Sequence, residues 1–419
     1  MVYVISQENK PLMPCNNVIA RLLLKQGKAK VKKREPFTIK LTYETTNYTQ
    51  NLILGVDTGS GTIGTAVAKK NGDIVYMSEV SVRNDITDKM TKRAKYRRNR
   101  RSRKTRYRKA KWLNRANSIR KDRFSPTMQS KLHSHVKEIE YIKSILPITE
   151  LVFETGQFDT HLMKNPSLSN SKIKHWGYQK GTNYGFENTK AMVLNRDNYT
   201  CQNCKGKHKD SKLEVHHIVF RSQCGSDEEN NLITLCHTCH KDLHSGKISP
   251  QLSGKTKGNL KYATQMNSIR KQLFRLYPNS IETFGYVTKA NRLNLGVDKK
   301  HYYDACTIAT QGKPFIVKSN LYKKKCVPDG DFQKTKGIRS EQPIVTDKIC
   351  GFRKFDKVRY FGKDYFIKGR MSTGYAILMD IDGNKIDFSK MARGYKTPKL
   401  SNCKRITARS TVMTQVKVV

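Results

Sequence analysis

Apolar and polar positions alternate with a clear period of two between residues 51 and 82, where NLILGVD, GTIGTAVA and DIVYMSEVSV follow one another. Asn71-Gly72 stands between the second and third runs, a pair suited to a tight hairpin. The pattern predicts a three-stranded meander with Asp57 closing its first strand. Ahead of it, residues 1–48 read as a small unit. A short helix starts near Asn17 and stops at Gly27, and β-prone stretches follow at 29–34 and 37–43. Helical spacing returns over 127–146 and 262–277, and TELVFE predicts a strand over 150–154. Residues 281–312 predict a strand, a loop and a helix whose N-cap is Asp298. Short β-like runs lie at 357–360, 364–367, 375–379 and 385–388, with Asp382-Gly383 where a hairpin turn belongs. Residues 160–187 and 247–261 are polar and linker-like.

Charge changes this picture most over residues 89–123, where about half the positions are Lys or Arg and Tyr96, Tyr107 and Trp112 are interleaved. No Gly or Pro interrupts the run, so it predicts a long helix once its charge is neutralised. The excess is general: 81 Lys and Arg face 34 Asp and Glu, for a net charge of +47. Self-repulsion of that size calls for a bound polyanion, and neutralising a phosphate backbone is its natural use. The first residues lack the pattern of a secretory signal, and no apolar run reaches membrane-spanning length. A prokaryotic, cytoplasmic protein without membrane contact is expected.

Four of the ten cysteines form two CxxC pairs, Cys201 with Cys204 and Cys236 with Cys239. Four thiolates suit a closed tetrahedral Zn²⁺ site that clamps a segment too short for a full core. Inside the clamp, LEVHHIVF carries His216 and His217, which a strand points to opposite faces. His240 and His244 share one helix face beyond it, and Asn231 lies between. This module resembles an HNH (ββα-metal) nuclease. The resemblance implies that His217 is the general base, that His216 and His240 hold a catalytic Mg²⁺ or Mn²⁺, and that Asn231 steadies the loop. His244 is a further ligand or a structural support, and Glu214 orients a ligand. RNA-guided relatives often carry Asp where this chain has His216, and imidazole also accepts softer ions than Mg²⁺.

Three distant acids sit at the ends of expected elements: Asp57, Glu154 and Asp304, with His301 one turn before Asp304. Converging carboxylates of this kind hold two divalent cations for phosphodiester cleavage, and His301 can serve as proton acceptor. GVDTGSG alone also fits a hairpin or the phosphate loop of an actin-like ATPase. The order of strand-Asp, Arg-rich helix, strand-Glu, inserted HNH module and His-x-x-Asp does not fit that ATPase. It resembles the split RuvC nuclease of the IscB family, the transposon-encoded, RNA-guided DNA endonucleases of bacteria, over nearly the whole chain.

The resemblance implies an α/β multidomain protein built on an RNase H-like (RuvC) mixed sheet split into three segments. Its parts are a PLMP-type domain (1–48), RuvC segment I (49–88), an Arg-rich bridge helix (89–124) and RuvC segment II (125–160). A linker (161–188), the zinc-clamped HNH module (189–246), a linker and helix (247–280), RuvC segment III (281–312) and a small basic β-rich C-terminal domain (313–419) follow. Arg93, Arg97, Arg98, Arg100, Arg101, Arg103, Arg106, Arg108 and Trp112 are the expected nucleic-acid contacts. The implied partners are a structured guide RNA and double-stranded DNA, bound by a single protein chain in a ribonucleoprotein. The HNH site would cut the guide-paired strand and the RuvC site the displaced one, beside a short flanking motif that the C-terminal domain reads. Two other readings stay open: an unguided homing- or phage-type HNH endonuclease, and a non-cutting RNA-programmed DNA-binding module.

Overall fold

The computed structural model describes residues 1–102, 124–156, 185–208, 210–220, 223, 225–248, 261–328, 348–389 and 397–418. The chain divides into two compact units, one made of residues 1–157 with 265–419 and the other of 158–264. Among the described residues no helix is long and apolar enough to cross a membrane.

The first unit begins with β1 (Val2–Ile5) and β2 (Pro11–Cys15), so the PLMP run is itself a strand. Helix α1 (Asn17–Lys25) follows, capped by the Asn16 side chain and ended beside Gly27, whose φ of 71° only glycine adopts freely. Strands β3 (Ala29–Lys33) and β4 (Thr38–Leu41) complete a four-stranded sheet in the order β2-β1-β4-β3. Neither β1 nor β2 was legible in the sequence, because both are too short to display a period.

The expected meander is β5 (Leu52–Asp57), β6 (Thr62–Lys69) and β7 (Asp73–Ser81), all antiparallel. Helix α2 (Ile86–Ser102) covers the start of the basic run; Arg93, Arg97, Arg98, Arg100 and Arg101 belong to it. Tyr107, Arg103, Arg106, Arg108 and Trp112 lie outside the described residues. Helix α3 (Pro126–Lys143) leads into β8 (Glu150–Thr155), which pairs parallel with β5.

The second unit holds α4 (Thr189–Arg196), then an antiparallel pair, β9 (Leu213–His217) and β10 (Leu232–Cys236), then α5 (His237–His244). Its core is small: Leu235 and Ile233 pack with the four cysteines, and Leu232 packs with Met192 and Val193. Arg196 donates to the Glu229 and Leu232 carbonyls, at 2.6 and 2.9 Å, and pins α4 beside β10. The expected linkers at 161–188 and 247–261 fall mostly outside the described residues.

The first unit resumes with α6 (Lys261–Leu276), β11 (Ile281–Phe284), α7 (Gly285–Asn294) and α8 (His301–Ala309). Helix α7 stands where a loop was expected. Asp298 does not cap α8: the N-cap is Lys300 and no side chain bonds the helix start there. Strands β12 (Ile316–Val317) and β13 (Leu321–Cys326) pair parallel with β7. A separate four-stranded sheet, order β16-β15-β14-β17, contains β14 (Lys357–Tyr360), β15 (Lys363–Arg370), β16 (Ala376–Met379) and β17 (Lys404–Thr407). The strand expected at 385–388 is reduced to a bridge between Met379 and Lys385 and an Ile386 amide bond to the Leu378 carbonyl, after a turn in which Asp380 accepts from the Gly383 and Asn384 amides. The last strand, β18 (Val412–Lys417), pairs with β13, so both ends of the 313–419 stretch belong to the central sheet.

That central sheet runs β11-β8-β5-β6-β7-β13-β18, with β12 also on β7. Its two faces differ in kind. Leu52, Leu54, Val56, Ile63, Val67, Leu151 and Phe153 point to one side, where Leu132, Ile139 and Ile142 of α3 and Ile269 and Leu273 of α6 cover them. The other side is floored by Ala66 and Ala68 and covered by Ala305, Cys306 and Ala309 of α8. Two glycines let α8 lie this close: a Cβ on Gly55 would fall 2.5 Å from the Ala309 nitrogen, and one on Gly64 would fall 2.0 Å from the His301 carbonyl.

Candidate functional sites

The small-residue face of the central sheet carries the three acids. Asp57 shares a face of β5 with Ile53 and Gly55, and Glu154 shares a face of β8 with Val152, so both side chains emerge toward α8. The two are register partners on adjacent parallel strands. Thr58 ties the strand ends together by donating its hydroxyl to the Glu154 carbonyl at 2.6 Å. From α8, His301 Nδ1 lies 2.6 Å from Asp57 Oδ2, and Asp304 follows one turn later. The sequence-predicted Asp57, Glu154, His301 and Asp304 thus share one corner of the fold.

The electrostatics of this corner follow from crowding acids in a half-dry place. Burial, then the Asp57 charge, pushes the Glu154 carboxyl up to about 7. Asp304 is raised for the same two reasons, in the same order. The hydrogen bond to Asp57 holds the His301 imidazole above its ordinary value. Oε2 of Glu154 is buried and has no hydrogen-bond partner among the described residues. An orphaned carboxylate oxygen among raised acids is what a divalent cation would satisfy, so Asp57, Glu154 and Asp304 fit such an ion. Arg292 of α7 was not anticipated: its Nε lies 3.0 Å from Asp304 Oδ1, and its Nη1 donates to the Val297 carbonyl. Nothing local in the sequence singles it out, since it meets Asp304 only through the packing of α7 on α8.

The second unit gathers the cysteines and histidines into two groups. Ligand atoms of Cys201, Cys204, Cys236 and Cys239 all lie within 4.8 Å of one another, which fits a structural Zn²⁺ ion. The same holds for His216, His240 and His244, so His244 joins the cluster as a third imidazole. Its Nε2 lies 3.3 Å from that of His240. Glu214 holds His240 through Nδ1 at 2.8 Å, which leaves Nε2 turned toward the other two rings. Burial first, then the neighbouring His240 and His244, pushes His216 down to about 4. A neutral imidazole keeps the lone pair a metal needs. These rings fit a second divalent cation.

His217 points away from this cluster, as alternation on β9 requires, and its Nε2 lies 2.7 Å from Asp227 Oδ1. Asn231 is buried and spends its whole amide on the loop: Oδ1 accepts from the Val219 amide, and Nδ2 donates to the Val219 and Ser226 carbonyls. Asp227 is the partner the sequence did not reveal. It lies ten residues from His217 with no helical or strand spacing to connect them, and the Asn231-pinned loop delivers it.

Comparison with known proteins finds similarity over parts of the chain. A family model described as RRXRR protein matches residues 2–181, and one described as HNH endonuclease matches residues 201–246. The chain is 36% identical over 70 residues to the type IV methyl-directed restriction enzyme EcoKMcrA of Escherichia coli K12, covering 15% of this chain and 25% of that enzyme. It is 35% identical over 65 residues to anaredoxin of Nostoc sp. PCC 7120, covering 15% of this chain and 83% of that protein. Among solved structures, Streptococcus thermophilus Cas9 in complex with the AGAA PAM is similar at 13% identity and a TM-score of 0.32, over 58% of this chain and 32% of that one. The same protein with the GGAA PAM gives 14% identity and a TM-score of 0.30, over 59% and 32%. The chain thus spans a quarter of the restriction enzyme and about a third of the Cas9 chain.

Proposed function

We propose, from the match of residues 201–246 to the HNH endonuclease family model, that this chain is an RNA-guided DNA endonuclease with two separate hydrolytic sites. The observation that carries the second site is the convergence of Asp57, Glu154 and Asp304, from three separate stretches of chain, on one face of one sheet. The five strands β7-β6-β5-β8-β11 have the first three antiparallel and the last two parallel to β5, which supports the RNase H-like (RuvC) reading. The net charge of +47 supports a nucleic-acid partner. The order of segments along the chain favours the IscB family over an unguided HNH enzyme, which leaves the carboxylate corner without a task.

Divalent cations, when bound, supply charge stabilisation on the phosphate and a more acidic water. In the HNH unit His216, His240 and His244 would hold one, with Glu214 fixing the His240 ring. A carboxylate can only accept a hydrogen bond, so Asp227 keeps the proton of His217 on Nε2. Nδ1 is then the free base that takes a proton from the attacking water. Asn231 fixes the loop that presents Asp227. In the other unit Asp57, Glu154 and Asp304 would hold cations, and Asp57 keeps the His301 proton on Nδ1, freeing Nε2 as acceptor. The HNH unit cuts the guide-paired strand and the carboxylate site the displaced strand. The four cysteines hold Zn²⁺ and play no part in hydrolysis.

The test is reconstitution. The protein is purified with whatever RNA accompanies it, the RNA is sequenced, and a matched duplex labelled on each strand is incubated with Mg²⁺. Cleavage of both strands is expected. An intact duplex with matched RNA and metal present refutes the reading, and cleavage independent of RNA favours the unguided endonuclease.

A further inference from the structure

The turn between β14 and β15 is built from two residues, Phe361 and Gly362, with φ of 45° and 71°. Positive φ at both positions is the sign pattern of a type I′ hairpin turn, whose first place suits Asn, Asp or Gly. A bulky aromatic is an outlier in that backbone region. Phe361 is also 54% exposed, so neither its backbone nor its contact with water favours it there. Phe355 makes the contrast. It too has a positive φ, 71°, but it packs partly buried against Val327, Phe366 and Met379, and burial offsets its strain. Phe361 gains little such burial.

What Phe361 does have is a rigid seat. Its ring rests on Tyr360, centroid to centroid 4.5 Å, and buried Tyr360 meets Phe388 edge-on at 5.1 Å. The ring is therefore held up to solvent at the tip of an ordered hairpin. Lys363 stands opposite Tyr360 in the register, and exposed Arg359 and Lys404 are partners across β14 and β17. Asp364 takes a bond from Arg359 at 2.8 Å, and among the described residues exposed Lys363 and Lys404 remain as cations beside the tip. A braced aromatic face flanked by cations matches a base plane and its phosphates.

We propose that Phe361 is a nucleobase-stacking site, and that its unfavourable turn conformation is retained for this use. The inference rests on the nucleic-acid-binding reading of the chain and is independent of either hydrolytic site. Base and phosphate chemistry is common to DNA and RNA, so the test has two arms. Full-length protein is titrated with a single-stranded oligodeoxynucleotide and an oligoribonucleotide carrying 5-iodouracil bases, which crosslink to stacked aromatics under long-wavelength ultraviolet light. The crosslinked peptide is expected to contain residue 361, with the productive arm identifying the strand type. Phe361→Leu and Phe361→Asn lose that crosslink and bind that probe about tenfold more weakly, while Phe361→Trp keeps both. The Phe361→Asn protein is expected to melt no lower than the parent, because Asn relieves the turn. Unchanged affinity in Phe361→Leu, or a crosslink that maps only elsewhere, overturns the proposal. So does a loss of affinity in Phe361→Asn that tracks a lowered Tm. A parent protein that binds neither probe removes the nucleic-acid reading as well.

Discussion

The two candidate sites are assembled by opposite means. The carboxylate corner is a by-product of a large core: β5 and β8 are fixed by Leu54, Val56, Leu151 and Phe153 on the far face, and α8 is seated by Gly55 and Gly64 on the near one. Its residues come from positions 57, 154, 301 and 304, and they meet only because the sheet and α8 bring distant segments together, with the His301–Asp57 contact as the direct link. The histidine site spans residues 214–244 and sits in a unit with few buried apolar side chains among the described residues. Four cysteines, placed to hold a metal ion, form the centre of that small core. Precision can therefore come from long-range packing or from a local metal clamp, and each source fails in its own way.

The comparison breaks most visibly at the clamp. Cys201→Ser, or a strong chelator, is expected to abolish the calorimetric transition of the 158–264 unit, since structural zinc supplies about 10 kcal/mol or more. The transition of the other unit stays in place. A joint collapse of both would mean the units are not independent folds.

Next come the reacting groups. His217→Ala is expected to slow cutting of the paired strand about a thousandfold and to spare the displaced strand. Asp57→Ala is expected to do the reverse, read on a gel with both strands labelled. If either change stops both cuts, the two-site reading is wrong. Asp227→Asn tests the orienting bond to His217: a paired-strand rate lower by about ten- to a hundredfold is expected, with DNA binding unchanged. An unaltered rate would assign Asp227 to the loop alone.

The last effect leaves cutting aside, is one of stability, and sharpens the metal assignment. Glu154 sits near 7 when folded, above its ordinary 4.5. The native state therefore binds the extra proton, and its stability contribution, full below about 4.5, is lost as pH rises through 7. Glu154→Gln removes that loss, so in metal-free protein it is expected to add up to about 3 kcal/mol at pH 8 and almost nothing at pH 4.5. Thermal melts across that range measure it. Added Mg²⁺ should favour the parent instead, and equal responses would argue against Glu154 as a ligand.

Much of this was legible early because its signals are local. The CxxC pairs, His216 against His217, and His240 with His244 are decided by spacing alone. The meander of β5 to β7 announced itself through alternation and Asn71-Gly72. Errors gathered where local signals compete or are too short: α7 in place of a loop, the unformed strand at 385–388, and Lys300 rather than Asp298 at the start of α8. The β1 and β2 strands take their pairing from neighbours and leave no period of their own.

By itself the sequence determined the donor types, the clamp and the strand ends on which the acids stand, because spacing sets which side of an element a residue occupies. Tertiary structure alone decided the partners. Asp227 reaches His217, Arg292 reaches Asp304, and β13 and β18 join the central sheet through contacts between segments that carry no shared period. Such contacts are selected by how whole elements pack, a property of the assembled core that no window of residues contains.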